Sequence, residues 1–237
     1  MKISVLGLGW YGEPLAKELL NLGHGVSGST TDQDKLDRLT DQNIQAVKLQ
    51  YPAIPSQEML NKDIIVLNIP PFEGQLEWFK TWPWSKNSWV IFISSTSVIS
   101  KNSAALKPQE EWVRGTFLSW TILRFGGLLG NTRHPGKILS GRKGLNHPRW
   151  PVNLLHLDDA VGFTLRVIEM NLFGKVFNVV CDEHHTREEF YCDFAKRAGI
   201  AVPEFTPEDT STGPRICNED VKQHYAFKRP TLLGQDT

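Results

Sequence analysis

Three glycines open the chemistry of this chain: Gly7, Gly9 and Gly12 in the run Gly7-Leu8-Gly9-Trp10-Tyr11-Gly12. They follow a short apolar stretch, Lys2–Leu6, and precede one with helical periodicity, Gly12–Leu22. In that setting each glycine has its own physical reason. Gly7 permits the tight turn, Gly9 lets the backbone approach a pyrophosphate, and Gly12 lets helix and strand pack closely, with phosphate charge on the helix N-terminus. The spacing alone is a weak signal, and a tight turn that binds nothing is the alternative. The strand–loop–helix context makes it a dinucleotide site, with Trp10 and Tyr11 inside it as further cofactor-binding candidates, Trp10 covering the pyrophosphate or walling the pocket.

The end of the next strand decides which dinucleotide fits. An acid there would hold the adenosine ribose and repel a 2′-phosphate. Ser29, Thr30 and Thr31 instead offer uncharged hydroxyls, with Lys35 and Arg38 on the following helix, so NADP is expected. Asp32 lies about twenty residues past the loop, where a ribose-binding acid occurs, and it keeps NAD open. Its other reading is the N-cap of a helix over Gln33–Leu39.

These groups need a frame to hold them. Strand-like and helical runs alternate from the start: Lys2–Leu6, Gly12–Leu22, Gly25–Thr30, Gln33–Leu39. Further apolar runs of parallel-strand length follow at Ile44–Leu49, Ile64–Ile69, Val90–Ser94 and Ser119–Leu123. The expected fold class is α/β, a Rossmann-type doubly wound parallel sheet with a smaller C-terminal substrate lobe. Asn68 and Pro70 at the end of the Ile64–Ile69 strand face the ligand crevice and join the cofactor-binding candidates, as do Ser94 and Arg124.

Later in the chain, Gly126–Pro151 has little periodicity and is longer than a connection requires, which marks a binding loop. After it a helix opens at Leu157-Asp158-Asp159-Ala160-Val161 with an Asp as N-cap. Val176–Val180 is one more strand. Thr186-Arg187-Glu188-Glu189-Phe190 starts a last helix with a capping box, its apolar face marked by Phe190, Phe194 and Ala198.

Composition removes several classes. Lys plus Arg and Asp plus Glu each number 26, and no basic run interleaves with aromatics, so a nucleic-acid surface has no electrostatic footprint. The tryptophans at 78, 82, 84 and 89 therefore belong to core packing or a subunit interface rather than to base stacking. Cys181, Cys192 and Cys217 lack the close spacing of a zinc or redox motif, no metal site is expected, and a reducing, cytoplasmic setting fits. The apolar N-terminal run is too short for a signal peptide, and no stretch reaches the roughly 18 apolar residues of a membrane span.

Several segments, in order, resemble the short-chain dehydrogenase/reductase superfamily, in its extended NAD(P)-dependent epimerase/dehydratase branch and most closely its atypical, YeeZ-type members. They are Gly7–Gly12, Phe92–Val98, Leu123–Gly130, Arg133–Gly136 and Val152–Ala160, extended by Phe177-Asn178-Val179 and Arg215-Ile216-Cys217-Asn218. The resemblance implies that a Ser or Thr after the fifth strand hydrogen-bonds the substrate oxygen. Ser95 matches by its spacing to Val98, with Thr96 beside it; the alternative is a strand-end turn whose hydroxyls satisfy backbone groups. The family's Tyr-x3-Lys pair is missing, because no tyrosine lies between Val98 and Trp120, and Lys107 is preceded at that spacing by Ser103.

His134, expected beside the nicotinamide, and His156, near the crevice, are the replacement acid/base candidates, although a lone histidine more often caps or packs. Arg133 and His134 are also substrate-binding candidates, Arg133 for a phosphate or carboxylate. The resemblance implies residues 1–130, with about 152–180, as the NAD(P)-binding core and 131–237 as mainly the substrate lobe. The expected function is an NADP-dependent oxidoreductase or epimerase on a small molecule, a nucleotide sugar being the class the family suggests. A dinucleotide-binding redox sensor or regulator without turnover is the other reading. A homodimer is left open, since the corresponding helix, around Glu110–Phe117, is short.

Overall fold

The computed structural model describes residues 1–100 and 105–232. In chain order the elements are β1 (Lys2–Leu6), α1 (Gly12–Asn21), β2 (Gly25–Thr30), α2 (Gln33–Asp41), β3 (Gln45–Lys48), α3 (Gln57–Leu60), β4 (Ile64–Leu67), α4 (Gln75–Lys80) and β5 (Trp89–Ser95). There follow α5 (Ser97–Ser100), α6 (Leu106–Thr116), β6 (Ser119–Phe125), β7 (Gly127–Leu129), α7 (Pro135–Ile138), β8 (Leu154–His156), α8 (Leu157–Glu169), β9 (Lys175–Val179), α9 (Arg187–Arg197) and α10 (Glu219–Lys222).

Among the described residues seven strands form one parallel sheet in the order β3-β2-β1-β4-β5-β6-β9. Strand β1 pairs with β2 from Lys2↔Gly25 and with β4 from Ile3↔Ile64, and β4 pairs with β5 from Ile64↔Trp89. The doubly wound α/β class expected from the alternating runs is the one the chain adopts. Strand order reverses beside β1, so the glycine loop leaves the sheet at the topological switch point, where open α/β sheets bind their ligands. All four residues of β4 are buried, as a central strand covered on both faces requires.

The chain divides into two compact units: Met1–Arg124 with Thr164–Val176, and Phe125–Phe163 with the described residues from Phe177 onward. The first contains an aromatic core. Trp78 and Trp82 meet edge to face with centroids 4.7 Å apart, Phe79 packs on both, and Trp84 and Trp112 close over it. Trp89 is buried separately, its indole N–H donating to Thr121 and its ring against Phe173. The tryptophans thus serve packing, each buried aromatic side chain contributing about 2–3 kcal/mol.

In the second unit β7 and β8 form a small parallel pair beside a core of Leu129, Leu154, Cys181, Phe190 and Phe194. Helix α9 begins as its sequence predicts, with the Thr186 hydroxyl accepting from the Glu189 N–H and the Glu189 carboxylate accepting from the Thr186 N–H. Its buried face is Phe190, Phe194 and Ala195; Ala198 is the exposed C-cap. The buried Asp159 accepts from the Tyr225 hydroxyl and from the backbone N–H groups of Lys228 and Arg229, anchoring the C-terminal segment.

Three sequence expectations change. The Gly126–Pro151 stretch is not structureless, since it holds β7 and α7. Helix α6 starts at Leu106, earlier than the expected Glu110. The N-cap of α8 is not an aspartate: the His156 ring takes the Asp158 N–H, and both aspartates lie in the first helical turn.

Candidate functional site

The glycine loop has the geometry its residue types predict. Gly7 adopts φ +103°, and a side chain there would collide with the Asn68 carbonyl. A Cβ on Gly12 would collide with the Gly7 carbonyl, so α1 packs directly on the loop. Neighbouring groups hold the loop in place: Gly7 N–H donates to Ser29 Oγ (3.2 Å), Leu8 N–H to the Ser29 carbonyl (2.6 Å), and Asn68 Nδ2 to the Gly7 carbonyl (3.0 Å). Gly9 differs from both, being exposed with open space where a Cβ would stand. A backbone cradle that is tight on either side and open at its centre fits a pyrophosphate.

Tyr11 does not line that cradle with its ring. The phenol is buried, shares a 2.7 Å hydrogen bond with Thr164 Oγ1, and is pushed well above its ordinary pKa by burial, which the Thr164 bond only partly offsets. Its side chain is an anchor for α1. Trp10, half-buried, follows the open glycine.

At the end of β2 the hydroxyls are committed to backbone groups. Ser29 supports Gly7, and Thr30 Oγ1 accepts the Asp32 N–H (3.2 Å); Thr31 is exposed. Asp32 is the N-cap of α2, its Oδ1 accepting from the Asp34 and Lys35 N–H groups. Lys35 and Arg38 converge on an acid that sequence reasoning passed over, Glu13, in the first turn of α1. Arg38 donates to it through both terminal nitrogens (2.5 and 3.0 Å), Lys35 Nζ lies 2.8 Å away, and Lys17 Nζ 2.9 Å. Lys35 also donates to the Leu8 carbonyl (2.7 Å). Burial opposes ionisation of Glu13, but the hydrogen bonds from Arg38, Lys35 and Lys17 outweigh it and hold the carboxyl well below the usual range.

Past β4, the exposed Pro70 presents its carbonyl to Gln75 Nε2 (3.0 Å), and the buried Gln75 in turn accepts from the buried Gln109 (2.9 Å). Ser94 is also buried and donates to Glu110 Oε1 (2.7 Å), and Arg124 grips the same carboxylate. The side chains of Ser94 and Arg124 therefore serve a buried network around Glu110, a residue with no local sequence signal. Thr96 is buried, whereas Ser95 is half-buried. Ser95 Oγ accepts the Ser97 N–H (3.2 Å), which leaves its proton to be donated.

In the second unit both candidate histidines cap helices. His134 is the N-cap of α7, its Nδ1 accepting the Gly136 N–H (3.1 Å), and its ring meets Phe194 edge to face. His156 Nδ1 accepts the Asp158 N–H (3.1 Å), and its ring packs so closely on Gly130 that a Cβ there would lie 2.8 Å from Nε2. A ring whose Nδ1 accepts the cap bond carries its N–H at Nε2. Burial lowers the His156 pKa, against the opposing pull of Asp158. Arg133 is exposed, and its backbone bridges to Gly130, its N–H donating to the Gly130 carbonyl (2.9 Å).

Comparison with known proteins bears on the fold and on the glycine-loop segment. Residues 2–77 match the NAD-binding domain of 6-phosphogluconate dehydrogenase. The chain is 27% identical to protein YeeZ of Escherichia coli K12, with 98% of each covered. A functionally unknown conserved protein from Silicibacter pomeroyi has the same fold with TM-score 0.74 at 16% identity, over 97% of this chain and 94% of that one. UDP-glucuronic acid 4-epimerase from Bacillus cereus, in complex with UDP-glucuronic acid and NAD, gives TM-score 0.68 at 17% identity, over 94% and 92%. The chain is thus similar to YeeZ over nearly its whole length and shares the fold of the Bacillus cereus 4-epimerase.

The longer helix that follows β5 and the short α5 is α6, and it carries neither tyrosine nor a buried lysine. Lys107 is exposed, and Ser103 lies outside the described residues. The buried polar residues of α6 are instead Gln109 and Glu110. Among the described residues no group of three or more His, Cys, Asp or Glu could hold a metal, and no helix is long and apolar enough to cross a membrane.

Proposed function

We propose that the chain binds NADP on the glycine loop and acts on a small carbonyl or hydroxyl substrate of nucleotide-sugar type. The observation that carries this reading is the open backbone at Gly9 between the two glycines that shape the loop, in a segment matching an NAD-binding domain. NADP, when bound, supplies a hydride acceptor or donor at its nicotinamide. The protein's part is binding and orientation: the loop N–H groups meet the pyrophosphate, and Thr30 and Thr31 lie beside the ribose. Asn68 and Pro70 border the cofactor. Ser95 donates its O–H to the substrate oxygen, with Thr96 supporting the turn. Residues 131–237, Arg133 and His134 among them, supply most of the substrate lobe.

Proton transfer is the demanding step. A serine hydroxyl is a poor acid, and the phenol the family uses is missing from the sequence between Val98 and Trp120. His134 and His156 each have Nδ1 occupied by a helix cap, which leaves Nε2–H as a donor only. His134, half-buried, is the more accessible of the two. This favours a second reading, a dinucleotide-binding sensor or regulator without turnover.

Stopped-flow measurement of NADPH oxidation against a panel of sugar nucleotides and carbonyl compounds separates the two. Turnover abolished by Ser95→Ala, with NADPH affinity retained, supports the enzyme. NADPH binding with no oxidation by any substrate supports the sensor.

A further inference from the structure

The cations beside the ribose end of the glycine loop are already paired, and with an acid that is not part of the loop's backbone cradle. Leu8 N–H donates to the Ser29 carbonyl, which places Leu8 against the end of β2, and Lys35 Nζ donates to the carbonyl of that same Leu8. The Lys35–Glu13–Arg38 cluster thus stands at the strand end where a ribose 2′-substituent is recognised in this architecture. Arg38 presents a bidentate fork to Glu13, the geometry that guanidinium uses for carboxylate and phosphate alike. Asp32, whose charge Arg38 also feels, is engaged as a helix cap. The set Lys17, Lys35 and Arg38 against Glu13 and Asp32 has three cations and two carboxylates.

We propose that Glu13 is a built-in counter-anion that occupies the 2′-phosphate position, and that a 2′-phosphate binds by displacing its carboxylate from Lys35 and Arg38. This rests on the NADP reading above and adds a residue that sets the strength of the preference. The carboxylate keeps Lys17, Lys35 and Arg38 paired in the cofactor-free chain and opposes the incoming dianion. Removing its charge releases a bidentate donor and an ammonium together. A cofactor without the 2′-phosphate meets neither effect, so discrimination is where Glu13 acts.

Calorimetric titration with 2′,5′-ADP and with 5′-AMP, fragments that differ only in the 2′-phosphate, tests this on the whole chain. Glu13→Gln should tighten 2′,5′-ADP about tenfold, the effect of one unit charge several ångströms away in a partly solvated site, and leave 5′-AMP nearly unchanged. The Lys35→Met/Arg38→Met double variant should weaken 2′,5′-ADP and spare 5′-AMP. Glu13→Ser provides the same test if Glu13→Gln folds poorly. Weaker or unchanged binding of 2′,5′-ADP by both Glu13 variants would overturn the proposal, since Glu13 would then only position the cations. If wild-type protein instead holds 5′-AMP as tightly as 2′,5′-ADP, and the double variant changes neither, the NADP reading itself is wrong.

Discussion

Arg124 grips the buried carboxylate of Glu110 with two hydrogen bonds, Nε to Oε1 at 2.9 Å and Nη2 to Oε2 at 2.6 Å. The same Oε1 accepts from Ser94, so one acid joins β5, α6 and β6 in the first unit. A charge buried this deeply is tolerated because its oxygens are paired.

Breaking one side of that pair should therefore cost more than removing both. Arg124→Met is expected to destabilise the chain by about 3–5 kcal/mol, because an unpaired carboxylate stays in the core, with the more exposed Arg114 at 3.4 Å a partial substitute. Arg124→Met with Glu110→Leu should recover much of the loss. Denaturant unfolding of the single and double variants measures this, and a single variant no less stable than the double would contradict it.

The three loop glycines should separate by readout. Gly7→Ala and Gly12→Ala place a methyl group against backbone and should cost about 2 kcal/mol or more. Gly9→Ala meets open space and should change stability by less than about 0.5 kcal/mol while weakening dinucleotide binding. Thermal unfolding of the three variants gives the ranking; equal losses in all three would argue against it.

Acid should loosen the second unit through His156. Its folded pKa is depressed, first by burial, so the unfolded state binds the proton more readily. Stability is then fully present above the unfolded value of about 6.5 and is lost as pH falls below it. His156→Asn keeps a capping acceptor without a titrating ring, and should flatten part of the fall in Tm between about pH 7.5 and about pH 5.5, the His184 ring, also depressed by burial, supplying another part. An unchanged pH profile in His156→Asn would show that the cap does not report protonation.

Asp159 should be needed to hold the C-terminal segment. Asp159→Ala leaves the Lys228 and Arg229 N–H groups and the Tyr225 hydroxyl without their acceptor, and should cost about 3 kcal/mol. Limited proteolysis should cut near residue 228 in the variant before the wild type. Equal cleavage rates would remove Asp159 from this role.

What the sequence revealed of this chain was what local pattern encodes. Gly7, Gly9 and Gly12 could be assigned separate roles because turn, approach and packing each demand a glycine at a fixed offset from a strand. Thr186 and Glu189 were equally readable, since a capping box spans only four positions. The histidine caps were legible only as a general alternative to catalysis, because Ser, Thr, Asp and Asn are the commoner caps and an Asp was expected to start α8. Glu13 and Glu110 were hidden for another reason: their partners at Lys35, Arg38 and Arg124 are brought in by the fold.

The most direct test of the central claim is calorimetric titration of NADPH and NADH into the wild-type chain and into Gly9→Val, which fills the open position of the cradle. The account predicts that wild type binds NADPH more tightly than NADH and that Gly9→Val loses both while its Tm is retained. Absence of binding by the wild type, or binding unaffected by Gly9→Val, would contradict it.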